Sequence, residues 1–332
     1  MNDILIVDST LRDGSHAIGH QFTEKNIADY ASGAEKAGTE LLIVGHGNGL
    51  GASSLQLGMS LLTDKKMLST AKKHLKKTKL GAFLIPGFGT IKNDLNPAID
   101  AGIEVLMVAC HCTEANITRE HIEYATREGL KTYGVLMMTH MLDAQGLLEQ
   151  AKLMQEYGAV GVLLMDSAGA YLPEDVTLKV GTLVESLKIP VGFHAHNNLG
   201  MTIANSVAAV RAGAKILDCT SRGLGAGAGN CQLEVIVAVL AKMGYKIDMD
   251  LYTLMDNSEN IIAPIMKNPQ VISSTSLTSG LAGVFSGFAP HVKRASQTFG
   301  VDTRDILVEL GRRKVVAGQE DIIIDVAMNL KK

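Results

Sequence analysis

Ile4-Leu5-Ile6-Val7-Asp8-Ser9-Thr10-Leu11-Arg12-Asp13-Gly14-Ser15-His16 runs from four apolar residues straight into three charges and an imidazole. The apolar run reads as a strand buried on both faces. Charges crowd the end of such a strand either to solvate a turn or to build a site. The same event recurs along the chain. Apolar runs at 41–45, 80–85, 105–110, 132–138, 161–166, 191–196 and 216–220 each give way to polar residues. Between them, apolar residues recur with helical spacing at 24–36, 59–75, 118–127, 144–157, 173–187 and 201–212, and a further helix ends near Lys242.

Boundary signals support this alternation. Thr23, Thr118 and the Leu172-Pro173 step mark helix starts. Gly38, Gly102, Gly129, Gly158 and Gly213 stand where left-handed caps close helices. Eight strand–helix units over about 245 residues match the count and length of an α/β fold of the (β/α)8 TIM-barrel type. A doubly wound sheet is the competing arrangement. The repeat stops near Lys242, so the expected organisation is a barrel over 1–250 and a C-terminal helical extension over 251–332. Ile306, Leu307, Val308, Leu310 and the run 322–326 in that extension need a surface to cover.

Composition narrows the function. Hydrophobic residues make up 46% of the chain and aromatics 4%, with no Trp, so the core is aliphatic. A net charge of −3 offers no surface for nucleic acid or an anionic membrane. Cys110, Cys112, Cys219 and Cys231 form no C-x-x-C pair and read as reduced thiols. The N-terminal run has no basic flank, and no apolar run reaches the roughly 18 residues of a membrane span, so a cytoplasmic protein is expected.

In a β/α barrel the strand C-termini share one mouth. His16, His46, His111, His140, His194, His196 and His20 all fall near strand ends, seven of the ten histidines. His194 and His196 are two apart on a strand and point to the same face. A bare pair of this kind also serves to hydrogen-bond a rim. With Asp13 from the first strand it makes a two-His, one-carboxylate metal site. That set suits octahedral Mn2+, Mg2+ or a related ion such as Co2+. It also serves non-haem Fe(II), although the β/α repeat argues against that option. No Cys lies near these ligands, which weakens a structural zinc reading. Arg12 reads as a cation aimed at a bound oxyanion, or as an ion-pair partner of Asp8. His16 reads as an acid or base near neutral pH, or as a loop cap. Gly223-Leu224-Gly225-Ala226-Gly227-Ala228-Gly229-Asn230 lacks nucleotide-loop spacing. Its small residues let backbone approach a ligand, with Asn230 either capping the next helix or lying near the metal.

The opening stretch, His194-Ala195-His196-Asn197 and the glycine-rich run together resemble the pyruvate-dependent 4-hydroxy-2-oxovalerate aldolases. These are relatives of hydroxymethylglutaryl-CoA lyase and isopropylmalate synthase among the metal-dependent barrel lyases. The likeness extends to His111-Cys112-Thr113-Glu114-Ala115, to Leu136-Met137-Met138-Thr139-His140-Met141 and to Gly318-Gln319-Glu320-Asp321. Ser15-His16 after Gly14 resembles the aldolase branch.

The resemblance implies a divalent ion, Mn2+, held by Asp13, His194 and His196 and chelating a 2-oxo acid through its carboxylate and keto oxygens. It implies that His16 takes the proton of the C4 hydroxyl, that the C3–C4 bond breaks to release an aldehyde, and that Arg12 steadies the pyruvate enolate. Ser167 at the end of the sixth strand, Phe285, Arg12, Asp13 and His194 are then the substrate contacts. The expected partners are 4-hydroxy-2-oxo acids, pyruvate, short aldehydes, further copies of the chain and an acylating aldehyde dehydrogenase docking on the C-terminal extension. The setting this implies is aromatic hydrocarbon catabolism.

Two positions depart from the family pattern. Phe285 stands where Tyr is usual and Asn48 where Asp is common. Two other readings use the same residues: a CoA-dependent Claisen lyase or synthase, and a weakly active barrel that binds a dehydrogenase.

Overall fold

The computed structural model describes residues 3–331; residues 1, 2 and 332, the outer ends of the two expected segments, lie outside the described residues. Eight strands form: β1 Leu5–Asp8, β2 Leu41–Ile43, β3 Lys79–Leu84, β4 Val105–His111, β5 Lys131–Met137, β6 Val162–Asp166, β7 Val191–Ala195 and β8 Ile216–Cys219. Each pairs in parallel with the next, and β8 returns to β1 with Leu5 opposite Ile216 and Asp8 opposite Cys219. The sheet is therefore a closed barrel and the doubly wound alternative is excluded.

After the short α1, Gly14–Ala17, the surrounding helices are α2 Glu24–Ala37, α3 Asp64–Lys72, α4 Asn96–Asp100, α5 Arg119–Arg127, α6 Ala144–Glu156, α7 Pro173–Ser186, α8 Thr202–Arg211 and α9 Leu233–Lys242. Beyond them come α10 Leu251–Asn257, α11 Ser274–Ala282, α12 Ala289–Phe299, α13 Thr303–Arg312 and α14 Glu320–Leu330.

Strand periodicity splits the core in two. Val7, Ile43, Phe83, Met107, Val135 and Met165 fill the barrel lumen. Alternate residues such as Ile6, Leu42, Phe193 and Leu217 pack outward against the helices. This phase positions the site. Phe193 faces the helices, so Gly192 and His194 face the lumen. Leu217 and Cys219 face the helices and Ile216 the lumen, so Asp218 faces the lumen too. A Cβ at Gly192 would come within 2.6 Å of Leu163 Cγ and 2.8 Å of Ile216 Cβ. Gly192→Ala is expected to overpack the lumen below His194 and lower stability by about 1–3 kcal/mol, as read from urea unfolding.

Thr23 caps α2 as the sequence suggests, accepting from the Asn26 backbone N–H, and the five expected cap glycines all hold positive φ. Two helix starts differ. The segment expected over 59–75 is helical only over α3, where Thr63 caps by accepting from Lys66 N. Ahead of it, Ser54 and Gly58 exchange backbone hydrogen bonds, and Leu61 N donates to the carbonyl of His20, so 54–62 form a loop. At α5, Thr118 does not cap; its hydroxyl donates to the Ala115 carbonyl inside a preceding 3-10 turn.

In the C-terminal part, Ile306, Leu307, Leu310, Ile323 and Val326 bury one another with Val284 and Phe288, while Val308 and Ile324 stay exposed. Leu254 and Ile262 instead join the barrel's outer core. All four cysteines are buried free thiols. Among the described residues no helix is long and apolar enough to cross a membrane.

Candidate metal centre

At the end of β1 the charges part company. Asp8 turns toward α2, where its carboxylate accepts from Thr10 N (2.9 Å) and from the Tyr30 hydroxyl (2.7 Å). Burial pushes its pKa up to about 6 against those hydrogen bonds. The Ser9 carbonyl accepts from both Arg12 N and Asp13 N, and this tight turn sends Arg12 and Asp13 to the lumen side.

Arg12 does not pair with Asp8. Its Nη1 donates to Asp13 Oδ2 at 2.7 Å, its Nη2 donates to Asp218 Oδ2 at 3.3 Å, and its guanidinium lies 4.4 Å over the Phe83 ring. Asp13 Oδ1 accepts from Ala226 N in the glycine-rich loop at 3.2 Å. Burial alone would raise the Asp13 carboxyl, but Arg12, His196 and His194 outweigh it and hold it well below the usual carboxylate range.

Asp13, His194 and His196 are all buried, and one ligand atom from each lies within 4.8 Å of the others. His194 Nε2 sits 3.7 Å from Asp13 Oδ2. The two imidazoles meet edge to face with centroids 4.9 Å apart. His194 Nε2 and His196 Nδ1 have no hydrogen-bond partner among the described residues. Burial pulls the His196 pKa down to about 3 despite Asp13, so that ring is neutral with a free lone pair. Unpartnered buried imidazole nitrogens are costly unless something else binds them. An ionised carboxylate and two such nitrogens are a donor set that fits a divalent cation.

His16 is half-buried at the cavity wall, beside the Gly47 backbone and the Asn48 side chain; desolvation lowers its pKa, with Asp13 opposing. Beside it His20 and His46 stack with centroids 3.7 Å apart. Burial, with His16 nearby, pulls their pKa values down to about 2 and about 4. Phe285 lines the same cavity as Arg12, Asp13, His16 and His196. Its neighbour Ser286 is clamped to the barrel, its N–H donating to the Ser167 carbonyl (2.9 Å) and its hydroxyl accepting from Asn198 Nδ2 (2.9 Å).

Ser167 is fully buried, and its hydroxyl accepts from Met138 N at 3.0 Å. His111 and His140 sit at the rim but do not line this cavity. His111 is tied to Thr113 and Met141, and His140 abuts Gly283 at the end of α11. Asn230 does not cap α9, whose cap is Gln232; its Nδ2 reaches the Leu224 carbonyl at 3.5 Å.

Two functional residues were missed from sequence. Asn198 stitches Ala168, Ala228 and Ser286 together, tying three loops of the mouth. Asp218 stands between His194 and Arg12. Its signal was present: the one charge in a four-residue strand, in phase with Ile216.

A closed β/α barrel with a divalent-metal donor set at its mouth defines the class, and comparison with known proteins agrees. The HMGL-like family model matches residues 3–261, and a DmpG-like communication domain matches 270–332. Similar proteins include the 4-hydroxy-2-oxovalerate aldolase of Spirochaeta aurantia, 52% identical over 99% of this chain and 96% of its own. The 4-hydroxy-2-oxovalerate aldolase 2 of Salinispora arenicola is 53% identical over 98% and 93%. The chain belongs to the HMGL-like family and, within it, to the 4-hydroxy-2-oxovalerate aldolases.

Among solved structures, the carboxyl transferase domain from Rhizobium etli pyruvate carboxylase with pyruvate aligns with a TM-score of 0.83 at 18% identity over 100% of this chain. This chain spans 61% of that one. The N-terminal domain of a putative aldolase from Bacteroides vulgatus aligns at 0.74 with 21% identity over 89% of this chain and 97% of that one. These two show the fold alone.

Proposed function

We propose that the chain is a metal-dependent aldolase that cleaves 4-hydroxy-2-oxo acids, such as 4-hydroxy-2-oxovalerate, to pyruvate and an aldehyde, and runs the reverse addition. The observation that carries it is the buried convergence of Asp13, His194 and His196 beside Arg12. Those three residues hold the cation, Mn2+ by our reading, with Mg2+ or Co2+ as substitutes. Bound there, a divalent ion supplies Lewis-acid polarisation of the 2-oxo group.

His16 accepts the proton of the C4 hydroxyl. The oxygen's electrons form the aldehyde carbonyl as the C3–C4 bond breaks; that bond's pair becomes the C2–C3 double bond and the C2 carbonyl π pair moves onto its oxygen, giving the enolate. Arg12 places fixed positive charge where the enolate oxygen develops. C3 then takes up a proton to give pyruvate. Ser167 supports the substrate pocket through Met138 and Ser286, and Phe285 packs near C4.

A lactate-dehydrogenase-coupled assay on racemic 4-hydroxy-2-oxo acids of graded chain length tests the reading. Pyruvate release that depends on Mn2+ is expected; release that survives complete chelation would overturn it.

The base role sets a pH profile. His16 must be neutral to accept a proton, and burial lowers its pKa below the ordinary 6.5. Activity is therefore present at neutral pH and lost only as pH falls through that lowered value. The acid limb of kcat/KM is expected to have its midpoint below about 6.5, the free-imidazole value.

Phe285 offers a ring and no hydroxyl to orient the C4 substituent. Aldol addition of pyruvate to propanal is expected to give both C4 configurations, scored by chiral chromatography, and a single enantiomer would count against this role for Phe285.

The communication-domain match over 270–332 supports an acylating aldehyde dehydrogenase as partner, and Val271, Leu277 and Leu281 are exposed apolar residues there. We place the protein in the cytoplasm as a homo-oligomer, with the barrel over 1–250 carrying the chemistry and 251–332 the docking surface.

A further inference from the structure

We infer that the site extends outward from C4 into a second cavity, where Lys293 and Arg294 select substrates that carry a carboxylate beyond C4. The inference rests on the aldolase reading above and names a substrate class for the same site.

Two cavities meet at His16, Asn48 and Phe285. The inner one holds Asp13 and His196, and much of its remaining wall is apolar: Phe83, Ile85, Phe88, Met137 and Met165. The outer one has a volume of about 330 Å3 and is lined by the loop 54–62 and by α12 and α14. His16 meets the C4 hydroxyl, so C4 sits at the junction. A C4 substituent that turns past Phe285 enters the outer cavity.

Helical spacing aims two cations there. Val292 and Ala295 are buried in the C-terminal core. The opposite face of α12, with Pro290, Lys293, Arg294 and Gln297, is left to line the cavity. Arg294 Nη2 donates to His291 Nδ1 at 3.0 Å, and among the described residues neither Arg294 nor Lys293 is paired with a carboxylate.

The one carboxylate on the lining, Glu320, is already engaged. Its Oε2 accepts from Gln56 Nε2 at 2.7 Å and its Oε1 from Gly318 N at 3.2 Å. Two cations therefore face the cavity against one occupied anion. A recess lined by a surplus of one sign focuses its field on the opposite charge. The apolar inner wall offers an anionic substituent nothing comparable. Cleavage of such a substrate follows the route given above, and the aldehyde it releases carries the second carboxylate.

The test offers the Mn2+-loaded enzyme pyruvate with succinic semialdehyde, with the neutral methyl ester of that aldehyde, or with propanal. Adducts are scored by liquid chromatography and mass spectrometry. Wild type is expected to favour the acid over the ester by about 10-fold in kcat/KM, since an exposed ion pair supplies at most a few-fold per cation. The ratio is expected to fall to about 1 in the double variant Lys293→Gln, Arg294→Gln. It is also expected to shrink as salt rises from about 0.05 to about 0.5 M, because salt screens exposed charge. Both aldehydes meet the same enzyme sample, so a loss of folded protein lowers both rates and leaves the ratio intact.

A wild type that adds pyruvate to propanal but shows no preference for the acid would overturn the inference and leave the aldolase standing. So would a preference that survives in the double variant, since the anion would then be held elsewhere. A preference unmoved by salt would overturn it too, whether or not the variant folds. A wild type that adds pyruvate to none of the three aldehydes would overturn both readings.

Discussion

Asp13→Asn is expected to cut kcat/KM for 4-hydroxy-2-oxovalerate cleavage by about 1,000-fold or more, roughly 4 kcal/mol of transition-state stabilisation. The substitution keeps size and shape, and the amide oxygen can still accept from Ala226 N. What changes is charge. Asp13 faces Arg12 at 2.7 Å and the two imidazoles, and these neighbours hold it ionised against its burial. A neutral amide there leaves a divalent ion beside an uncompensated guanidinium, with Asp218 as the nearest remaining anion. Metal content by atomic emission should fall from stoichiometric to near zero, with the folded signal intact. His194→Ala should lose metal and turnover for the complementary reason, since it removes the Nε2 donor and leaves the charge. A variant of either kind that kept wild-type rate and metal content would show that these residues do not hold the ion.

The contrast between Asp13 and Asp218 shows what the sequence carried. Asp13, His194 and His196 were legible because a parallel barrel brings all strand C-termini to one mouth, and they lie at the ends of the first and seventh strands. Asp218 sits one residue inside β8, where apolar neighbours disguise it; only its phase with Ile216 marks it as lumen-facing. The same rim logic overreached for His111 and His140. His111 ends β4 and His140 follows β5, strands on the far side of the barrel from β8, so a shared rim did not mean a shared cavity. Helical spacing misled over 59–75 because Met59, Leu61 and Leu62 line a loop, closed by Ser54 and Gly58, with the same apolar rhythm. Seating Phe285 depends on Asn198 and the Ser167 carbonyl, contacts between segments roughly 90 and 120 residues away, which no local pattern encodes.

Arg12→Lys keeps the positive charge and is nonetheless expected to lower kcat by about 100-fold, near the 3 kcal/mol that one oxyanion donor supplies. The guanidinium makes two separate contacts from one plane, Nη1 to Asp13 and Nη2 to Asp218, while its face lies over Phe83. An ammonium is a single point of charge and cannot span both carboxylates while stacking on the ring. One of the two buried carboxylates then loses its cation, and breaking a buried pair costs about 3–5 kcal/mol. A lower melting temperature should therefore accompany the lower rate. Catalysis and stability separate in a second measurement, exchange of the pyruvate C3 protons with solvent deuterium followed by NMR. Exchange passes through the enolate without any aldehyde, so replacing a residue that stabilises the enolate must slow exchange as much as it slows cleavage. Wild-type exchange in a folded, metal-loaded Arg12→Lys would remove Arg12 from the enolate and leave it a purely structural link between Asp13 and Asp218.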